Sequence, residues 1–114
     1  MELAKKLQIK EGQEIRVVGG PTELSLDLPT TERTDADAIL LFVRDRGELE
    51  AQGQPFVEAA SSDKLAWLAY PKGGQLGTDL SRDRLWAILK PHGIRPVRQV
   101  SLDAVWSAMR FRPQ

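Results

Sequence analysis

Leu65–Tyr70, LAWLAY, contains no charged or amide side chain at any position. A strand with one wet face alternates apolar and polar residues; a run like this one demands burial on both faces, as a central strand of a covered sheet does. Pro71 is expected to end the strand, and Lys72, Gly73, Gly74 and Gly77 to form a flexible loop. Thr78, Asp79 and Ser81 then offer three helix-capping side chains. The helix that follows places Leu85, Ile88 and Leu89 on one face and stops at Pro91, with Gly93 just beyond. Strand, loop and helix in that order form the building block of an α/β sheet, and the remaining segments have to fit it.

They do so in sequence. Glu2 to Gln8 reads as a short helix with Leu3 and Leu7 four apart, and Glu11-Gly12 as a turn. In Glu14–Val18, Ile15 and Val17 alternate with Glu14 and Arg16, which suits a strand near a sheet edge. Gly19-Gly20-Pro21 breaks it. Leu24, Leu26 and Leu28 alternate with polar residues, as in a strand, yet Pro21 at a helix N1 position would allow a short helix using Leu24 and Leu28; both readings stay open. Pro29 to Asp37 reads as a loop. Ala38–Val43 (AILLFV) is a second strongly buried strand. Asp45 can cap a helix over Arg46–Gln52 with Leu49 inward; Gly53-Gln54-Pro55 interrupts, and Phe56 to Ser61 gives a further turn or two. Arg95–Leu102 and Ala104–Phe111, turned at Asp103, should pair as an antiparallel hairpin. The expected architecture is one α/β domain over residues 1–114. It is a three-layer sandwich with a mostly parallel five-stranded sheet, closed on one side by the C-terminal hairpin.

Composition narrows the chemistry. The chain has 114 residues and no cysteine, so there is no disulfide framework, thiol nucleophile or thiolate metal site. A single histidine removes most zinc sites and most His-based catalysis. No catalytic residue, metal or cofactor is assigned, which points away from an enzyme. No apolar run approaches the roughly 20 residues that span a bilayer, and MELAKKLQIKEG lacks a signal peptide's apolar segment, so no membrane partner and a cytoplasmic location are expected. Net charge is zero but uneven: from Arg82 onward there are seven Lys/Arg against two acids, leaving nine against fourteen before it. A basic end can meet an acidic partner; with no overall excess and no nucleic-acid motif, nucleic acid is not expected.

Four separated segments, LLFVR (40–44), YPK (70–72), TDLSRD (78–83) and WSAMRF (106–111), look like those of an uncharacterised bacterial family of small proteins, a domain of unknown function. The similarity covers most of the chain from Ile39 onward and Leu3 to Val18 more loosely. It implies a fold and brings no established activity, so no residue role is carried over. The order of elements also resembles a shortened Rossmann-type methyltransferase, with GQEIRVVGG at the family's first strand and glycine-rich loop and AILLFV and KLAWLAYP at later central strands. In that family the final strand is inserted antiparallel beside the preceding ones, which implies the spatial order first, second, third, fifth, fourth here. Those enzymes hold S-adenosylmethionine with a glycine-rich turn after the first strand and an acidic residue ending the second. Here the turn is only Gly19-Gly20-Pro21, and too few residues separate it from Ala38 for the usual strand–helix–strand. The half that binds adenosine is missing.

Two groups of residues are candidate sites. Gly19, Gly20, Arg44, Tyr70, Lys72, Gly73 and Gly74 should lie around the crevice beyond the strands' carboxyl ends, where α/β sheets bind ligands. Free backbone N–H groups, a helix N-terminus and Lys72 suit a small anion such as a nucleotide or phosphometabolite. The loop is not a P-loop, and Asp79 would repel an anion at the cap. The plainer alternatives are a flexible connection with an N-cap, and an Arg44 that pairs with Asp79 or another local carboxylate. Tyr70 ends its strand and can offer its hydroxyl to a ligand or to a backbone partner; Trp67, on the opposite face by parity, belongs to the core. The second group, Arg95, Arg98, Trp106, Arg110 and Arg112, decorates the hairpin. Edge strands carry charge to prevent sheet-to-sheet pairing; alternatively Trp106 and these arginines anchor a protein partner or a second copy. His92 gains from its helix end and reads as structural, and Ser81 has no base beside it. The leading expectation is therefore a non-enzymatic interaction or regulatory domain, the alternative a binding module for a small anion, and the third a residual methyltransferase.

Overall fold

A computed structural model describes residues 5–19, 28–33, 35–73 and 75–114. Five strands are present among these residues: β1 Ile15–Val18, β2 Ala38–Phe42, β3 Leu65–Pro71, β4 Ile94–Ser101 and β5 Trp106–Pro113. They form one open sheet in the order β1-β2-β3-β5-β4, the order that the methyltransferase resemblance implies. β1, β2 and β3 pair in parallel, whereas β5 is antiparallel to both β3 and β4. The sheet is thus mixed, and the expectation of a mostly parallel sheet is corrected: inserting β5 between β3 and β4 makes two of the four pairings antiparallel.

The two strands read as fully buried are so. Every residue of β2 is buried, and so are six of the seven in β3. Alternation divides them between two cores. Ile39, Leu41, Ala66, Leu68 and Tyr70 face one side; Ala38, Leu40, Phe42, Trp67 and Ala69 face the other. β3 ends with Pro71, as expected, and Pro71 pairs with Trp106 as its last residue.

Three α-helices lie wholly among the described residues: α1 Arg46–Gln52, α2 Gln54–Ser61 and α3 Arg82–Leu89. Asp45 caps α1, its Oδ1 accepting from the Glu48 amide at 2.9 Å. Pro55 does not delay α2, because a proline in the first turn forfeits no hydrogen bond. Gly53 joins the two helices where a Cβ would stand 2.5 Å from the Leu49 carbonyl oxygen. Pro91 likewise sits inside a 3₁₀ turn, Lys90–His92, that continues α3 until Gly93 turns left-handed at φ 78°.

All three helices feed the same core. Leu49, Phe56, Ala60, Leu85 and Leu89 join Ile39, Leu41 and Leu68, and Phe56 meets Phe111 edge to face at 5.6 Å. The strand order gives the reason. β2 to β3 and β3 to β4 step the same way across the sheet, so crossovers of one hand place their helices on one face. The other face is covered by Leu7, Ile9 and Leu28, and Trp67 ties Leu7 down by donating Nε1–H to its carbonyl at 2.9 Å. Lys5 and Lys6 are helical, consistent with the end of the expected first helix, whose start lies outside the described residues. Leu24 and Leu26, whose secondary structure stayed open, also lie outside them.

The hairpin needs a wider turn than a single Asp103. The Asp103 carboxylate accepts from the amides of Val105 and Trp106 at 2.8 and 2.7 Å, so β5 starts at Trp106. Among the described residues no strand lies beyond β4, and its register shifts between Pro96 and Arg98. Proline, a bulge and charge are the usual means of blunting such an edge.

Candidate functional site

A cleft of about 510 Å³ opens where β3 and β4 end, β5 begins and α3 starts. β3 supplies Tyr70, the loop after it Lys72 and Gly73, the cap and first turn of α3 Ser81 and Arg82, and the hairpin Gln99, Ser101 and Ser107. The register explains the hairpin's share: Tyr70 lies opposite Ser107, and Ser107 opposite Ser101.

The floor is a small polar network. Gln99 Nε2 donates to the Tyr70 hydroxyl at 2.9 Å and to Ser107 Oγ at 3.1 Å, and Ser107 Oγ donates to the Val100 carbonyl at 3.2 Å. Burial pushes the Tyr70 phenol up, against weaker downward pulls from Ser107, the Arg82 charge and Gln99. At neutral pH it is a protonated hydroxyl, able to donate a hydrogen bond.

The walls are cationic. Lys72 Nζ donates to Ser101 Oγ at 2.7 Å, which leaves the ammonium's other protons to face the cleft. Ser81 caps α3 by accepting from the Arg84 amide at 3.2 Å. The side chain of Arg82, the first residue of α3, makes no hydrogen bond and no ion pair among the described residues. Among the described residues no carboxylate lines the cleft. Asp79, expected to repel an anion at the cap, is turned away: its Oδ1 accepts from the Arg46 amide at 3.1 Å. Asp103 is spent on the hairpin turn.

The first candidate group divides. Tyr70, Lys72 and Gly73 come together in the cleft, while Gly20 and Gly74 lie outside the described residues. Gly19 does not border it. Its φ is +73°, and a Cβ there would stand 2.9 Å from the Phe42 carbonyl oxygen, so this glycine serves the close approach of β1's end to β2. Arg44 is also elsewhere. Its Nη2 and Nε reach Glu48 Oε2 at 2.8 and 3.1 Å, and its amide donates to Glu48 Oε1 at 2.8 Å. This pairing holds the Glu48 carboxyl below its ordinary range, chiefly through the Arg44 side chain.

The hairpin group divides as well. Trp106 is 5% exposed and meets Phe42 edge to face at 5.1 Å, so it is part of the core and not a surface anchor. Arg112 forms a two-pronged pair with Asp63 at 2.8 and 2.9 Å, and Arg110 donates to Gln8 Oε1 at 2.6 Å. Burial pulls Arg110 downward. Arg95 and Arg98 stay exposed on the open edge.

Sequence reasoning missed Arg82, Gln99, Ser101 and Ser107. One signal was available: Ser107 interrupts the apolar run of β5 and is buried. A buried hydroxyl needs partners, and those partners are the cleft. Among the described residues no group of three or more His, Asp or Glu is placed to hold a metal, and no helix is long and apolar enough to cross a membrane. No protein-family model matches the chain, and no curated protein matches it.

Proposed function

We propose that the chain is a binding module for a small anionic ligand held between Lys72 and Arg82, with Ser81, Ser101, Gln99 and the Tyr70 hydroxyl as hydrogen-bonding partners. The observation that carries this reading is the charge of the lining: among the described residues it holds two cations, one of them with no side-chain acceptor, and no carboxylate. A guanidinium can grip a phosphate or carboxylate with two parallel hydrogen bonds, and the start of α3 adds its positive end. The reading is non-enzymatic: among the described residues no base stands beside Ser81, Ser107 or Tyr70 to activate a nucleophile, and Lys72 donates to Ser101 instead of accepting from it. Binding at the junction of β3, α3 and the hairpin suits a regulatory domain in the cytoplasm, whose ligand ties these elements together.

The finer fold reading belongs to the same proposal. The order of the strands and the inserted antiparallel β5 support a shortened Rossmann-like, methyltransferase-like domain, with the Leu7 segment beginning a third layer. A partner or a second copy remains a second reading, favoured by the exposed Arg95 and Arg98 on the open β4 edge.

Thermal unfolding against inorganic phosphate, pyrophosphate and glycerol phosphate tests the first reading. A ligand at a hundred times its dissociation constant adds about 2.7 kcal/mol, a shift of several degrees for a domain of this size. The shift should vanish in Arg82→Ala and shrink in Lys72→Ala. A flat response to all three anions sinks the proposal.

A further inference from the structure

We infer that the anion held at Arg82 belongs to a molecule with a flat aromatic group, which lies in a second groove against Trp86; the inference rests on the anion-binding reading above. Of the three tryptophans, Trp67 and Trp106 are in the core, while Trp86 on α3 is 46% exposed. One exposed tryptophan alone would mean little. Trp86, however, borders a groove of about 380 Å³ between α3 and β4, with Pro96, Met109 and the exposed Val97 as its other apolar surfaces. Two residues of that groove, Arg82 and Gln99, also line the anion cleft. The depressions therefore share a wall, and one molecule can occupy both.

The spacing suits such a molecule. Arg82 and Trp86 are four residues apart on α3, neighbours on one helix face with about 6 Å of rise between them. That is the separation between a phosphate and the ring it is attached to through a sugar or short linker. Lys90 continues the same row, its Nζ 5.9 Å from the Trp86 ring centroid, and Arg98 adds a further cation to the groove against the single acid Asp83. Cation, ring, cation along one face is complementary to an aromatic phosphate, such as a nucleoside monophosphate, and gives no reason to prefer an aliphatic one. An indole face stacks on any base, so the groove should select for an aromatic ring and not for a particular base.

Calorimetric titration of the intact chain with inorganic phosphate, glycerol 3-phosphate, adenosine 5′-monophosphate and uridine 5′-monophosphate provides the test. Both nucleotides should bind about tenfold more tightly than the two non-aromatic phosphates, the order of one base–aromatic stack. Trp86→Ala should erase that advantage and leave phosphate binding unchanged. Trp86→Leu, which keeps the groove apolar, should erase it too. Arg82→Ala should weaken all four. If nucleotides and phosphate bind alike, or if the advantage survives in both Trp86 variants, the aromatic groove is wrong while the anion cleft stands. If no probe binds, both readings fall. A trinucleotide that binds more tightly than either monomer overturns the small-ligand assignment.

Discussion

Arg44 and Arg82 stand at comparable places, each close to the start of a helix that follows a buried strand, and they have opposite fates. Arg44 has Glu48 four residues on and closes onto it. Arg46, beside it, has Glu50 and does the same. Arg82 has Trp86 at that position, and no acid takes its place. The region around α1 is thus electrically complete: Asp45 caps, Asp79 accepts from the Arg46 amide, and each arginine has its carboxylate. On α3, by contrast, Arg82 has no carboxylate partner among the described residues. Proximity to a strand's carboxyl end is not enough to make a binding residue. What separates the two regions is whether local sequence supplies the counter-charge.

Four experiments can break or sharpen this contrast. The largest effect should come from Trp106→Ala, which removes a buried ring packed on Phe42 and should cost about 3–5 kcal/mol in chemical denaturation. A protein that stays equally stable and instead changes its association state would return Trp106 to the surface role that the structure denies it. Next is Arg82→Ala, expected to weaken anion binding at least tenfold by calorimetry, since a hydrogen bond to a charged group contributes about 1.5–3 kcal/mol. Arg44→Ala, its counterpart, should leave anion binding unchanged and lower stability by no more than about 1 kcal/mol, because the pair is exposed; a loss of binding there would erase the distinction between the two regions. The smallest effect is in acid. The Glu48 carboxyl is held below its ordinary range by Arg44, so its contribution is fully present above the unfolded pKa of about 4.3 and is lost as pH falls through the lower folded value. Denaturation midpoints compared at pH 6 and pH 3 should show a smaller acid loss in Arg44→Ala than in the unaltered protein.

Much of the architecture was legible because it is written locally. β2 and β3 are unbroken apolar runs, Asp45 and Ser81 are helix caps in their expected places, and Leu49, Leu85 and Leu89 point inward at helical spacing. What failed was non-local. The place of β5 was expected from the resemblance and not from any residue of β5, and the expectation of a mostly parallel sheet overlooked that this insertion makes two of the four pairings antiparallel. The cleft depends on the register that sets Tyr70 beside Ser107 and brings Gln99 across to both; in sequence, Gln99 and Ser101 look like ordinary polar residues of an edge strand. Gly19 and Arg44 were misjudged for a related reason. The crevice rule applies where the strand order reverses, and among these strands the crossovers step one way only. Trp106 was grouped with the hairpin arginines, but a shared strand does not say whether the face a residue lies on is covered.

The bond from the Trp67 indole to the Leu7 carbonyl joins residues 60 positions apart. Closing so long a stretch of chain carries an entropy penalty that no short-range contact in the sheet shares. The N-terminal cover should therefore dock late in folding and be the first part of the core to open. Isotope exchange at the Trp67 indole would then follow the lifting of that cover, an opening smaller than unfolding of the whole chain.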